Sequence, residues 1–166
     1  MRNRLLIAVL GNRNSGKTTT WKTLFDASVK TGKYERPLFL NSAQFVDAFL
    51  INGSPEELDI DVEDLLHGTL PSIVLCSTQY RVDVKDTYNY FFRKGYDVIV
   101  QWLNPGHDDA QAYSDSLAIL DFLLGKGATV QIRDGTIDPT SRVKEIRQFI
   151  LGWATHQDLV QTKWPE

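Results

Sequence analysis

The chain has 166 residues, enough for one ordinary domain and too few for two comfortable ones. Hydrophobic residues make up 42% and charged residues 23%, so a packed core is attainable and intrinsic disorder is disfavoured. A formal net charge of -3 argues against direct nucleic-acid binding, which needs a concentrated basic face, and the single cysteine, Cys76, excludes an internal disulfide framework or a Cys-rich zinc site.

In chain order, residues 5–10 form a continuous apolar run, the mark of a strand covered on both faces. Trp21, Leu24, Phe25 and Val29 follow at helical spacing, with Gly32 placed to stop that helix. Residues 37–40 suggest a short second strand. Ser42 is placed to cap a brief helix carrying Phe45, Val46, Phe49 and Leu50. After the Asn52-Gly53 turn, Ser54-Pro55-Glu56-Glu57 supplies an N-cap, a proline at the first helical position and a capping-box glutamate. Residues 72–76 read as a third strand. Asp83 is placed to cap a helix that turns Val84, Tyr88, Phe91 and Phe92 inward and ends at Gly95. A fourth strand over 98–103 is broken by Asn104-Pro105-Gly106, and Tyr113, Leu117, Leu120 and Leu124 line a further helix closed by Gly125. Residues 129–132 give a fifth strand; Val143, Ile146, Phe149, Ile150 and Trp153 define the last helix, with a surface tail after His156.

Strands alternating with helices predict a three-layer α/β domain spanning 1–166, built on a parallel sheet of about five strands. No apolar stretch approaches the roughly 20 residues that span a bilayer. The first apolar run leads into a glycine-rich loop rather than a signal-cleavage site, so a soluble, cytoplasmic protein is expected.

That loop reads Gly11-Asn12-Arg13-Asn14-Ser15-Gly16-Lys17-Thr18, a full G-x-x-x-x-G-K-[ST] match between a strand and a helix. Gly11 and Gly16 permit tight turning and close approach of phosphate oxygens, and the amides from Asn14 to Thr19 are placed to converge on an anion at the positive end of the helix. Lys17 supplies a compact charge for the β- and γ-phosphates, Thr18 a hydroxyl for Mg²⁺, and Thr19 a reach toward the α-phosphate.

In an open parallel sheet, ligands collect at the carboxyl ends of the strands. No acidic residue follows the third strand. Ser77 or Thr78 is a weak substitute as a water-mediated metal ligand, and Gln79 is placed to orient an attacking water; the alternative is a polar turn. Asn41, Ser42, Gln44 and Asp47 either face a second substrate or start a helix. His107, Asp108 and Asp109 suggest a metal site less readily than a helix start. Arg133 and Asp134, after the fifth strand, either approach a nucleobase or belong to an ordinary connection.

With these residues in view, the chain resembles the P-loop (Walker A) NTPases, and its arrangement is similar to the nucleotide-kinase-like branch. The stretch Arg133-Asp134-Gly135-Thr136 before Val143 and Ile146 is similar to the base-contacting loop and final helix of adenylate and thymidylate kinases. The departures are an arginine-free segment over 106–116, where such kinases carry a lid, the missing strand-end acid, and the lack of the Asn-Lys-x-Asp and Asp-x-x-Gly patterns of regulatory GTPases. The resemblance implies binding of ATP or GTP with Mg²⁺ and slow hydrolysis assisted by a protein partner or by a homo-oligomer. The alternatives are phosphotransfer to a small-molecule acceptor near 41–47 and 77–81, and a non-enzymatic nucleotide-binding scaffold. Trp153 and Trp164 are candidate contact residues, with helical spacing favouring a core role for Trp153.

Overall fold

The computed structural model describes residues 3–163. The apolar run forms β1 (Arg4–Gly11), buried from Leu5 onward. Its side chains alternate between two cores, as strand geometry dictates. Leu6, Ala8 and Leu10 pack with Tyr88, Phe91, Ile119 and Leu123. Leu5, Ile7 and Val9 pack with Trp21, Leu24, Val143, Ile146 and Ile150. Burial on both faces explains why β1 shows no polar positions after Arg4.

The helices supplying those cores are α1 (Lys17–Phe25) and α6 (Thr140–His156) on one face, and α4 (Val84–Arg93) and α5 (Ile119–Gly125) on the other. Between them, β1 pairs in parallel with β4 (Ile73–Gln79) and with β5 (Tyr96–Leu103), and β5 pairs in parallel with β6 (Thr129–Arg133).

The sheet departs from the five parallel strands expected. Among the described residues it has seven strands, in the order β2 (Arg36–Phe39)-β3 (Gln44–Ile51)-β4-β1-β5-β6, with β7 (Gln161–Thr162) paired to β3, and it is mixed. Residues 44–51, expected as a helix, form β3 (Gln44–Ile51), antiparallel to β2 (Arg36–Phe39) and parallel to β4. Asn41 Oδ1 accepts the N–H groups of Ala43 at 3.0 Å and Gln44 at 2.8 Å, and the Leu40 N–H donates to Gln44 O at 2.9 Å, which closes a hairpin turn. The sequence beyond it is rich in aromatic and β-branched residues that fit a pleated surface, and Val46, Ala48 and Leu50 enter one core while Phe49 and Ile51 enter the other.

Other boundaries shift for similar reasons. Helix α1 stops at Phe25, well before Gly32, because Asp26 adopts a left-handed conformation and caps it. Helix α5 starts only at Ile119. Asn104 holds both the N–H and the carbonyl of Tyr113, which keeps that residue out of the helix. The tail after α6 is exposed over β7, as expected of a surface tail, and adds a strand that pairs antiparallel with Gln44 and Phe45. Trp153 is partly buried, its indole N–H donating to Asp97 at 3.0 Å. Trp164 lies outside the described residues. No helix among the described residues is long and apolar enough to cross a membrane.

The two-core arrangement predicts a sharp contrast between aromatic truncations. Phe91→Ala, at a fully buried site, should cost about 3–5 kcal/mol in urea unfolding, whereas Phe39→Ala, at 44% exposure on the edge hairpin, should cost less than about 1 kcal/mol.

Candidate functional site

The carboxyl ends of β1, β4, β5 and β6 deliver their connections to one edge of the sheet. The loop from Gly11 to Gly16 lies at the centre of that edge, because β1 is central in the strand order. Asn14 has φ 60° and Gly16 φ 105°. Such alternation of left-handed and ordinary conformations curls a backbone into a concavity lined by N–H groups. Gly16, at the N-cap of α1, takes a conformation that other side chains resist. The amides of Asn14, Gly16, Lys17, Thr18 and Thr19 have no acceptor among the described residues.

Neighbouring loops brace this curve. The Ser15 carbonyl accepts the His107 N–H at 3.0 Å, and the Ser15 N–H donates to Asn12 O at 3.2 Å. The Gly135 N–H donates to Pro105 O at 2.7 Å, tying the loop after β6 to the loop after β5. The Ser15 hydroxyl is buried without a hydrogen-bond partner among the described residues, and a Cβ at Gly11 would collide with that oxygen.

Lys17 is 8% exposed. Its ammonium donates to Gly11 O at 3.0 Å, Asn12 O at 2.9 Å and Gln79 Oε1 at 2.8 Å, with Glu57 Oε1 at 4.0 Å. Burial pulls its pKa down to about 8, against the opposing pull of the Glu57 and Glu56 carboxylates. Both glutamates stand on α2 (Pro55–Leu58), the short helix that follows β3. Ser54 caps it as expected, accepting the Glu57 N–H at 3.2 Å, but the Glu57 side chain faces Lys17 rather than returning to the cap.

Glu56 is buried. Its carboxylate accepts the Gln79 N–H at 2.7 Å and the Thr87 hydroxyl at 2.5 Å, which fixes the end of β4 against α2 and α4. Burial raises its pKa, partly countered by those two hydrogen bonds.

A cleft of about 390 Å³ opens over the loop. Arg13, Asn14, Ser15, Gly16, Lys17, Thr18 and Thr19 form one wall; Asn52, Gly53, Ser54, Glu57, His107 and Asp108 face them. A larger groove of about 460 Å³ lies between α2, α3 (Val62–Leu65) and α4. It is lined by Glu56, Asp59, Asp61, Glu63, Asp83 and Asp86, a charge that repels phosphate.

The structure therefore brings together the loop residues, Gln79 and Lys17, and separates others. Gly11 and Asn12 serve through their carbonyls. Ser77, expected near a metal, is fully buried under α1, where its hydroxyl accepts the Trp21 indole N–H at 2.8 Å. Thr78 is turned inward to Tyr88 and Val9 O. The Arg133 side chain pairs with Glu145 at 2.7 Å, and the Asp134 carboxylate accepts from Thr136 in its own turn; neither lines the cleft. Asp83 makes no side-chain cap and binds Arg81 instead. Asn41 and Gln44 bond to each other at the hairpin turn, away from the cleft.

Sequence reasoning missed Glu56 and Glu57 as parts of this site. The available signal was the Asn52-Gly53 turn: with 44–51 read as a strand, the following residues fall at the carboxyl edge. Neither protein-family models nor curated protein sequences match this chain.

The lowered Lys17 pKa fixes a sign. Below about pH 8 the ammonium is charged in both folded and unfolded chains, and folding bears its full desolvation cost. As pH rises from about 8 toward the unfolded value of 10.5, the folded protein sheds that charge first and gains relative stability. Wild type should thus show a more positive slope of unfolding free energy between about pH 8 and 10 than Lys17→Met. Identical slopes in chemical denaturation would contradict the buried ammonium.

Proposed function

We propose that this chain is a P-loop nucleotide-binding protein that takes ATP or GTP with Mg²⁺ and hydrolyses it slowly, with assistance from a partner. The observation that carries this reading is the loop itself. A Gly-x-x-x-x-Gly-Lys-Thr segment joins a doubly buried central strand to a helix, with its amides unspent and its lysine held at the cradle's base. β1 stands where the strand order turns to opposite sides, the position at which open α/β sheets bind ligands.

The residues present suit magnesium. Thr18 offers an exposed hydroxyl in the cleft, and Glu57 and Asp108 offer carboxylates opposite it, all hard oxygen donors that leave room for water and phosphate oxygens. Magnesium there would neutralise charge on the β- and γ-phosphates. Glu57 thereby fills the place of the acid missing after the third strand, from a different element.

Lys17 holds the phosphate chain by charge, and the loop amides, which have no acceptor among the described residues, orient it. Gln79, whose amide is bound to Lys17 and whose backbone is pinned by Glu56, is positioned to hold a water once Lys17 turns to phosphate. Arg13 is the cation exposed in the cleft among its lining residues apart from the buried Lys17. A partner-supplied arginine would complete the set, an addition worth several powers of ten in other phosphoryl-transfer systems. An acceptor held near 41–47 gains no support, because those residues form a hairpin turn and the start of β3 and do not line the cleft.

Mg·ATP or Mg·GTP at about a hundred times its dissociation constant should stabilise the fold by roughly 2.7 kcal/mol in a thermal-shift panel. Lys17→Ala should lose most of that gain while its unliganded form stays folded. Glu57→Gln should retain nucleotide affinity without magnesium to within about threefold, yet lower phosphate release at least about tenfold. Phosphate release without added acceptor supports the reading; acceptor-dependent ADP formation favours the phosphotransferase, and binding with neither leaves a scaffold. A wild type that melts identically with and without either nucleotide would end the proposal.

A further inference from the structure

Beside the loop, and not lining its cleft, Arg142 of α6 is buried between α1 and β5 at 4% exposure. Its Nη1 donates to the Thr20 hydroxyl and to Gln101 Oε1 at 3.3 Å, and its Nη2 reaches Gly16 O at 3.5 Å. Gln101 Nε2 donates to the Arg142 carbonyl at 3.2 Å, so β5 holds the residue from both ends. Nε is buried with no acceptor, and no carboxylate among the described residues forms an ion pair with the guanidinium. Burial draws its pKa down to about 10, with the exposed Asp138 opposing weakly.

A buried cation normally recruits a carboxylate, because desolvation is costly without one. This one sits against the N-cap of α1, where the helix dipole already favours negative charge and makes a cation unwelcome. Its hydrogen bonds also run in one direction. The guanidinium donates to Thr20 Oγ1, and that hydroxyl donates to Gly16 O at 2.9 Å. The Gly16 carbonyl belongs to the same planar peptide unit as the Lys17 N–H, one of the amides without an acceptor. Donors in series polarise one another, so positive charge at Arg142 strengthens the Lys17 N–H at the far end.

We propose that Arg142 is a positioning residue for the phosphate cradle: through Thr20 and the Gly16–Lys17 peptide it raises the loop's affinity for a polyphosphate that it never touches. The inference rests on the phosphate-loop reading above. It adds that the anion is the missing counter-charge, and that recognition by this route is independent of the base.

Calorimetric titration of Mg·ATP, Mg·GTP and base-free tripolyphosphate into wild type, Arg142→Met and Thr20→Val tests this, with urea unfolding of each unliganded protein. Both variants should weaken binding about tenfold, for tripolyphosphate as much as for nucleotide. The unliganded midpoint of Arg142→Met should stay at or above that of wild type, since an unpaired charge has left the core. The double variant should bind no worse than Arg142→Met alone, because one relay is cut once, and the Lys17 amide proton should move upfield in both single variants. Should Arg142→Met fail to fold, Thr20→Val, which keeps the guanidinium and the side-chain volume, carries the decision alone. Wild-type affinity in the variants that fold, or a fall in stability with unchanged affinity, would reduce Arg142 to a packing latch and overturn the inference while leaving the phosphate-loop reading intact. A wild type that binds none of the three ligands would remove both.

Discussion

A lysine ammonium has to be kept out of water at the end of β1, and much of the surrounding backbone is organised around that requirement. Lys17 finds acceptors in the Gly11 and Asn12 carbonyls at the end of β1, each of which also accepts a backbone N–H, from Tyr80 and from Ser15. Its third proton goes to Gln79, whose place is fixed by Glu56 and, through Glu56, by Thr87 of α4. The charge is thus satisfied by dipoles, with the nearest carboxylate of Glu57 at 4.0 Å. A cation solvated in this way keeps a large residual field, and that field faces a set of free amides.

The sheet supplies the rest. Central placement of β1 brings the loops after β5 and β6 against the glycine-rich loop, where His107 and Gly135 take up backbone groups that would otherwise be buried and unpaired. The fold therefore rigidifies the curve of the loop from outside, while leaving its inner amides uncommitted. The acidic groove beside α4 lies on the other side of α2, so that a single four-residue helix stands between that groove and the cleft over the glycine-rich loop.

Where one periodicity dominates, the sequence was readable. The doubly buried β1, the glycine and lysine spacing after it, and α6 with Val143, Ile146 and Ile150 inward all followed from pattern alone. Residues 44–51 were not readable in this way. Phe45, Val46, Phe49 and Leu50 satisfy a helical spacing, and what decides for a strand is pairing with β2 and β4, with the Leu40 N–H bond to Gln44 O closing the hairpin. With 44–51 in a helical pattern, 52–57 do not follow a strand end, and Glu57 carries no signal of a site. The irregular span holding Tyr113 was not readable either: its periodicity is helical, but Asn104 binds its backbone from nine residues away. Arg142 and Thr20 carry no sequence signal at all, because their meaning arises only when α6 is laid against α1.

The central claim is that the curl between β1 and α1 is an anion cradle with the Lys17 ammonium at its base. The most direct measurement is a crystal structure with magnesium and a non-hydrolysable nucleoside triphosphate analogue. The account predicts phosphate oxygens on the amides of Asn14, Gly16, Lys17 and Thr18, with Lys17 Nζ exchanging Gln79 Oε1 for a phosphate oxygen. An analogue bound elsewhere, or a loop that leaves those amides turned away while Lys17 stays on Gln79, would contradict it.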